Sequence, residues 1–444
     1  MRHAKALELL GIPTVALTAE NVSRYASGYD RLYSNGMPIR IVTFPLPVAG
    51  VPTSTHEKYI AGNDPITGKP IMQSIIDALT KPLTADETAT GLPPEAAPQP
   101  RFLPADTEEN LQQLFKDNDW TDYGPVILPT EARVTEMLKG TSHKADEVMK
   151  TLNWPGGSRK LTVEKAAIYA VMAGAKPQQF PLILAVATQV PFGNSTTSMA
   201  NAIIVNGPIR NELKMNSGGD AMGPYNEANS VIGRTLTLMS KTIGNLHSGK
   251  TTFSSLGSNL QYNNLCLAEA EEDLPQGWLP LSQQFGYKPT DSIVSIGTGW
   301  SYISSAGEAM PQYPPQMLIR DYMKALSGQG GGATIFMDPL VAGMLHDYQK
   351  FSSKEELSRW LSSNVKMPVS QYWGNGVVTT FNWILGLQGL EPYATWQKIP
   401  QDQLIQPFNN PKGVNTVVVG GKTQTTWFVT DFRLRSGISV DSWR

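Results

Sequence analysis

Two loops rich in glycine and asparagine are the first candidates for a binding pocket. One follows the apolar run 202–205, and the other precedes a helix predicted to begin near Asn226. In open parallel sheets, ligands gather outside the carboxyl ends of the strands, and a helix N-terminus adds backbone donors that suit an anion. Ordinary tight turns are the alternative, because Gly and Asn reach positive φ at little cost. The residues predicted to line this pocket are Asn206, Gly207, Asn216, Gly218 and Gly219.

The helix after the second loop carries an arginine that could hold a negatively charged group. Ser230 and Arg234 lie four residues apart and so share one face, and Asn229 lies one position before Ser230. If that face borders the loops, Arg234 would hold a carboxylate or phosphate through two parallel hydrogen bonds. A salt bridge at the surface or between domains is the alternative for Arg234. Asn229 and Arg234 complete the main set of predicted substrate-binding residues.

Two further glycine-rich segments match a phosphate-binding loop only in part. Gly420 and Gly421 follow the apolar run 417–419, which is the expected order of strand and glycine, but no further fingerprint accompanies them. They are predicted to form a second, less specific part of the substrate-binding surface. The glycines of 328–332 come before an apolar run, so their order is wrong for nucleotide binding.

Three other side chains could exchange protons and are the predicted catalytic residues. Glu269 and Glu271 lie in an acidic run, where burial beside like charges would raise the pKa of a Glu towards neutrality, as a general base requires. A solvated acidic face is the alternative for that run. His247 lies in a polar loop and is either an acid–base group or an ordinary exposed histidine.

The single cysteine, Cys266, is predicted to be a small buried core residue. The acidic residues after it would raise the pKa of its thiol, which disfavours an activated thiolate. One cysteine forms no internal disulfide, and the five histidines are scattered along the chain, which disfavours a zinc site. We therefore predict no metal, no cofactor and a reducing, cytoplasmic location.

The charge of the chain disfavours polyanionic partners. A formal net charge of −2, without clusters of Lys and Arg, leaves no surface for nucleic acid or an anionic membrane. No window approaches the roughly 20 apolar residues that span a bilayer, and the first residues lack the apolar core of a signal peptide. The predicted partner is a small-molecule substrate, with no nucleic acid and no membrane.

The order of predicted elements indicates an α/β protein with more than one domain. Residues 1–80 alternate helix, strand, helix and strand, with helices over 3–10 and 19–33 and apolar runs over 12–17 and 39–45. This order is typical of a Rossmann-like parallel sheet, but such units begin with a strand, so the pattern predicts that a first strand is missing. The segment 81–116, rich in Pro, Ala and acidic residues, is predicted to be a linker.

Residues 117–444 are predicted to form a larger α/β domain with glycine-rich loops. Helical patterns cover 130–152 and 163–189, and short apolar runs predict strands near 202–205, 292–296, 333–336 and 414–419. A sheet edge left open by the missing strand of the first domain would pair with another chain, so a homo-oligomer is expected.

Stretches along most of the chain, in the same order, resemble the UGSC-motif family, which is named for a loop that contains selenocysteine or cysteine. The first is the segment 11–15, followed by a predicted helix and by 36–45. The later stretches are Val171–Pro177, Ile204–Ile209, Asn229–Arg234 and Val418–Gly421.

The resemblance implies a reactive selenocysteine or cysteine on a loop before the first helix, where the helix dipole would hold the chalcogen as an anion. This sequence does not contain that loop, which agrees with the missing first strand. The expectation is a start assigned too late, or an in-frame UGA codon read as a stop. A cysteine is also common in the family where this chain has Ala175.

The leading hypothesis is a thiol- or selenol-dependent oxidoreductase or transfer enzyme that acts on a small anionic molecule. Its pocket would lie between the two domains, and its nucleophile would lie in the missing segment. One alternative is a non-catalytic binding or regulatory protein that keeps the pocket. Another is a hydrolase or lyase that uses Glu269 or Glu271 as its base and needs no thiol.

Overall fold

The computed structural model of the chain describes residue 4 and residues 7–23, 39–48, 50–85, 100–154, 157–190, 199–248, 252, 254–305 and 312–444. It shows a mixed α/β protein, as the sequence predicts. The strands predicted near 202–205, 292–296, 333–336 and 414–419 are all present. Most of the helix predicted over 19–33 lies outside the described residues.

The strands are β1 (Ala16–Ala19), β2 (Ile41–Phe44), β3 (Val148–Trp154), β4 (Gly157–Thr162), β5 (Ala200–Asn206), β6 (Leu265–Ala268), β7 (Ile293–Gly299), β8 (Tyr302–Ser304), β9 (Ala333–Met337), β10 (Met367–Pro368), β11 (Leu404–Ile405), β12 (Val414–Val418), β13 (Trp427–Thr430), β14 (Arg433–Leu434) and β15 (Ile438–Ser439).

The helices are α1 (Thr53–Ala61), α2 (Ile71–Thr80), α3 (Glu108–Asp117), α4 (Glu131–Leu138), α5 (Val163–Ala173), α6 (Phe180–Gln189), α7 (Ile209–Glu212), α8 (Glu227–Thr242), α9 (Leu281–Gln284), α10 (Pro315–Met323), α11 (Pro339–Asp347), α12 (Lys354–Asn364), α13 (Val369–Trp373), α14 (Gly376–Leu387) and α15 (Tyr393–Trp396). None of these described helices has the length and apolar character needed to cross a lipid bilayer.

The N-terminal region contains one pair of parallel strands, β1 and β2, with helix α2 beside it. Arg40 fixes this helix, because its guanidinium donates to the carbonyl oxygens of Ala78 and Lys81 at 2.7 and 2.9 Å. The parallel pair agrees with the predicted parallel sheet. Within the described residues, however, no further strand joins the pair, so a Rossmann-like sheet is not formed there.

Three predicted boundaries differ in the structure. Helix α3 lies inside the predicted linker, where Thr107 caps it by accepting from the amide of Asn110 at 3.3 Å. The helix predicted over 130–152 was wrong beyond Leu138, because residues 148–152 pair with β4 as strand β3. The helical pattern over 163–189 is divided into α5 and α6, since Gly174 adopts a φ of +87° and ends α5.

Two larger sheets with the same strand pattern form the centre of the molecule. The order is β14–β7–β5–β6 in the first sheet, with β15 also paired to β7, and β12–β9–β13–β8 in the second. In the first sheet β5 is parallel to β6 and antiparallel to β7, and in the second β9 is parallel to β12 and antiparallel to β13. Both sheets are therefore built from one type of unit, in which two parallel strands are followed by an antiparallel strand.

The two sheets pack face to face between two layers of helices. Side chains alternate along the strands, so Ile204 of β5 and Phe336 of β9 lie in the core between the sheets, whereas Ile203 and Ile335 face the helices. Helices α5, α6 and α8 cover the first sheet, and α10, α11 and α12 cover the second. The layers follow the order helix, sheet, sheet, helix.

The last strand of each unit crosses to the other sheet. β7 runs into β8, which pairs with β13, and β13 runs into β14, which pairs with β7. Asp431 joins the two corners, because its Oδ1 accepts from the backbone amides of Trp300 and Ser301, both at 2.9 Å. Burial raises the pKa of Asp431. The exchange of strands ties the two sheets into a single folding unit.

The contact between α8 and the segment before β6 depends on a glycine. A Cβ on Gly233 would lie 1.7 Å from the carbonyl oxygen of Asn263. We expect Gly233→Ala to lower the free energy of unfolding by about 1–3 kcal/mol, because the helix must move away from the sheet. Urea denaturation followed by circular dichroism measures this loss.

Gly343→Ala is the matched control, since Gly343 also lies in a helix and an added Cβ there meets no atom within 4 Å. This control is expected to be neutral or to stabilise the protein by about 0.5–1 kcal/mol. Equal losses in the two variants would contradict the close approach of α8 to β6.

Candidate functional site

The carboxyl ends of β5, β6, β9 and β12 meet at one end of the molecule. β5 is parallel to β6, and β9 is parallel to β12. The two pairs join where Ala270, just after β6, donates its amide to the carbonyl oxygen of Val418 in β12 at 2.8 Å. We call residues 206–207, 216–220 and 420–421, which lie at this end, the rim.

The two glycine-rich loops that the sequence predicts separately contact each other in the rim. The amide of Gly420 donates to the carbonyl oxygen of Ser217 at 2.8 Å. A Cβ on Gly421 would lie 3.1 Å from the Cα of Gly219, so the two backbones approach more closely than a side chain allows. The structure therefore brings together residues that lie about two hundred positions apart in the sequence.

Asn229 holds the first of these loops in place. Its Nδ2 donates to the carbonyl oxygens of Asn216 at 2.9 Å and Ala221 at 3.1 Å, and its Oδ1 accepts from the amide of Asn216 at 3.2 Å. The side chain of Asn216 closes the turn by accepting from the amide of Gly218 at 2.9 Å. Asn229 is buried, so it positions the loop from beneath and does not face a ligand.

Asn206 and Gly207 end β5 beside two glutamates. The Nδ2 of Asn206 donates to Glu269 Oε2 at 2.7 Å and to Glu271 Oε1 at 2.8 Å. The amide of Gly207 also donates to Glu271 Oε1, at 2.8 Å. Gly207 has a φ of +80°, and a Cβ there would lie 2.1 Å from the carbonyl oxygen of Asp291, so the turn requires glycine.

Glu269 is fully buried at the junction of the two sheets. Its carboxylate pairs with the Nζ of Lys354, which begins α12 and is also fully buried. It accepts in addition from the amides of Leu281 at 2.7 Å and Val418 at 3.4 Å. Because Asn206, Lys354 and the two amides occupy both oxygens, this geometry favours a structural role for Glu269 over the predicted role of general base.

Glu271 and Glu272 are held by Arg210, which is buried beneath them. The Nη2 of Arg210 lies 3.1 Å from Glu271 and 2.8 Å from Glu272. The hydrogen bonds from Arg210 hold the pKa of Glu272 below its ordinary value. Since Asn206 and Gly207 also bind Glu271, both predicted bases make contacts that support the rim.

Arg234 and His247 bind carboxylates of the segment 119–122. Arg234 makes two parallel hydrogen bonds to Asp122, at 2.8 and 3.0 Å, and these hydrogen bonds raise the pKa of the guanidinium. This contact is the salt bridge that was the alternative for Arg234. His247 pairs through Nδ1 with Asp119, whose other oxygen binds Lys241 at 2.5 Å. These contacts place Arg234 and His247 with this segment and not with the rim.

Cys266 lies in β6 and is buried against α8, so the prediction of a buried core thiol is confirmed. Burial raises the pKa of this thiol to about 12. A buried thiol with a raised pKa is a poor nucleophile near neutral pH.

Asp338 lies beside the rim and was not identified from any motif. It follows β9 and caps α11, since its carboxylate accepts from the amide of Val341 at 2.9 Å and from the amide of Thr426. Burial raises the pKa of this carboxyl group. A Cβ on Gly420 would lie 3.4 Å from the Cβ of Asp338. The sequence holds a signal for it, because an Asp-Pro pair directly after a predicted strand is typical of a capped helix at a strand end.

A cleft of about 570 Å³ lies elsewhere, between Lys139, Pro181 and Arg444. Its lining contains none of the predicted site residues. Within the part of the chain that the structure describes, no group of three or more His, Cys, Asp or Glu side chains could hold a metal ion. The rim is the candidate site because the two predicted substrate-binding loops contact each other there.

Comparison with known proteins adds no relative. No family model, no curated protein and no solved structure matches this chain. The resemblance to the UGSC-motif family stays a hypothesis, and the functional argument depends on the geometry of the rim.

Lys354→Met leaves the Glu269 carboxylate buried without its cation. We expect the free energy of unfolding to fall by about 3–5 kcal/mol, because an uncompensated charge remains in the core. The double variant Glu269→Gln/Lys354→Met removes both charges and is expected to recover part of the loss. The control Lys139→Met, which removes an exposed pair with Glu136, should change stability by less than about 1 kcal/mol. A loss no larger than the control's would show that the buried pair is unimportant.

The high pKa of Cys266 predicts an unreactive thiol. The shift from an ordinary value of 9.0 to about 12 lowers the thiolate fraction at pH 8 about a thousandfold. We expect Ellman's reagent to label the native protein very slowly and the protein in guanidinium chloride at once. Rapid labelling of the native protein would contradict the burial of this side chain.

Proposed function

We propose that the chain binds a small anionic molecule at the rim and serves a thiol- or selenol-dependent redox or transfer reaction. One observation carries the proposal: the loop around Ser217 and the loop at Gly420 contact each other above the carboxyl ends of two parallel strand pairs. Ligand pockets of α/β sheets form at such strand ends. Glycine backbone in both loops leaves room for a small molecule to approach.

A lysine at the edge of the rim supports an anionic ligand. Lys422 follows the two glycines and pairs with Asp273 at 2.6 Å, with the two side chains 59% and 38% exposed. An exposed ion pair contributes little stability, so Lys422 can exchange Asp273 for the carboxylate or phosphate of a ligand. Asp338, beside Gly420, is buried and its two carboxylate oxygens accept from the amides of Val341 and Thr426, so it supports the rim as Glu269 does.

The reactive chalcogen of the proposed reaction is not Cys266. That residue is the only cysteine of the sequence, and burial raises the pKa of its thiol to about 12. The nucleophile would therefore come from outside these 444 residues, as the resemblance implies. The same observation favours the second candidate, a binding protein without its own catalytic group. The contacts of Glu269 and Glu271 weigh against the carboxylate-based hydrolase or lyase.

Titration of the purified chain with inorganic phosphate and with acetate, followed by calorimetry and NMR, tests the rim. We expect Lys422→Gln to weaken binding at least about tenfold, because the only rim-edge cation described here is lost. Gly421→Ala should also weaken it, since the new Cβ separates the two loops. The matched control, Lys412→Gln, removes an exposed lysine before β12 and should leave the affinity unchanged.

Two outcomes would refute binding at the rim: no saturable binding of either anion, or equal losses for Lys422→Gln and Lys412→Gln. If the anion binds, the addition of a small-molecule thiol separates the two candidates. Turnover of a bound thiol-reactive substrate that is faster with the thiol and the protein together than with the thiol alone supports the enzyme, and binding without this acceleration supports the binding protein.

A further inference from the structure

A second cluster of functional side chains lies at the opposite end of the two sheets. The loop 328–332 leads into the first residue of β9, whereas the glycines of the rim follow the last residue of β12, which is parallel to β9. The 5 residues of β9 separate the two ends by roughly 15 Å. A small molecule bound at the rim does not reach this cluster.

Three elements meet at this end. β14 places Arg433 opposite Thr298 of β7, two residues before Trp300. The rings of Trp300 and Phe381 lie nearly parallel, with centroids 6.5 Å apart and planes inclined by 24°. Helix α14, which carries Phe381, also packs against the loop 329–331. We call Trp300, Phe381, Arg433 and the loop 328–332 the Arg433 cluster.

The glycine loop sets the position of Arg433. A Cβ on Gly330 would lie 2.2 Å from the Nη1 of Arg433, and a Cβ on Gly332 would lie 2.8 Å from its Cγ. The side chain therefore crosses the loop where a larger residue would displace it. Gly328, Gly330 and Gly331 all have positive φ, so the loop takes a shape that leaves this path open.

The cationic guanidinium of Arg433 makes no ion pair or side-chain hydrogen bond with the described residues. The nearest acidic residue in sequence, Asp431, is buried, accepts from the amides of Trp300 and Ser301, and attracts Arg433 electrostatically without forming an ion pair with it. Arg433 is exposed, and a guanidinium without a hydrogen-bond acceptor among the described residues is suited to a carboxylate from outside the chain.

Helix α14, next to Arg433, has an apolar exposed surface. α14 contains no charged residue, and Phe381 is 50% exposed although its ring lies beside Trp300. Trp383 and Leu387 of the same helix are also exposed. A flat apolar group can stack on the open face of Phe381, because aromatic rings attract one another in offset or edge contacts.

We propose that the Arg433 cluster binds a small aromatic carboxylate, with the carboxylate on Arg433 and the ring against Phe381. The charge of Arg433 selects an anion, and the uncharged, aromatic surface of α14 selects a ligand whose remaining part is apolar and flat. This site is separate from the rim and does not depend on what the rim binds.

Titration of the full chain with benzoate, followed by calorimetry and saturation-transfer NMR, tests the proposal. We expect saturable binding of benzoate, and affinities at least about tenfold lower for acetate and for benzyl alcohol, each of which lacks one half of the recognised group. Arg433→Met keeps the aliphatic stem over the glycine loop and removes the charge, so it should weaken benzoate binding at least about tenfold. Phe381→Ala, which removes an exposed ring, should do the same.

The control is Arg435→Met, which removes an arginine two positions away whose Nη1 donates to the carbonyl oxygen of Gln189 at 3.5 Å. It should leave benzoate binding unchanged. The proposal is overturned if benzoate does not saturate, if Arg435→Met weakens binding as much as Arg433→Met, or if Phe381→Ala has no effect. Loss of benzoate binding in Lys422→Gln would also overturn it, by placing the ligand at the rim.

Discussion

The buried ion pair between Glu269 and Lys354 is the contact on which the two-sheet architecture depends. Glu269 follows β6 of the first sheet, and Lys354 begins α12, which covers the second. Removing two charges from water costs several kcal/mol for each ion, and this cost is offset only if the ions are paired and their remaining groups are hydrogen-bonded. The carboxylate meets that condition only when Asn206 of β5 and the amide of Val418 in β12 are also in place. The pair is thus satisfied only if both halves of the molecule have docked.

The acidic residues that follow β6 are likewise bound by neighbouring side chains and amides. Glu271 accepts hydrogen bonds from Asn206 and Gly207 and forms an ion pair with Arg210, and these contacts fix the turn that ends β5. The side chains that most resemble catalytic groups in the sequence therefore hold the frame. What remains at the surface of the rim is glycine backbone and the long, exposed side chain of Lys422. The buried contacts below the rim hold the glycine loops in place, because glycine backbone alone does not keep one conformation.

The sequence predicts the parts of the fold whose signal is local. β5, β7, β9 and β12 are buried on both faces and appear as apolar runs, and the glycine loops mark where two of them end. The partner of Glu269 was not predictable, because Lys354 lies 85 positions away and looks like any helix-start lysine. The exchange of β8 and β14 between the sheets has no local signal either. Strand β3 was predicted as helix because its side chains have helical spacing. In the structure its pairing with β4 outweighs that local pattern.

The two units, each made of two parallel strands and an antiparallel strand, can be compared at the carboxyl ends of β5 and β9. In the first unit β5 ends in Asn206-Gly207-Pro208, and in the second β9 ends in Met337-Asp338-Pro339, so a proline begins the next turn in both. At the end of β5, Asn206 and Gly207 donate hydrogen bonds to Glu269 and Glu271. The second places Asp338 beside Gly420, where its carboxylate caps α11 and binds the amide of Thr426. Both strand ends are therefore closed by a buried carboxylate that binds backbone amides, and in both units the acidic side chain supports the turn that follows the strand.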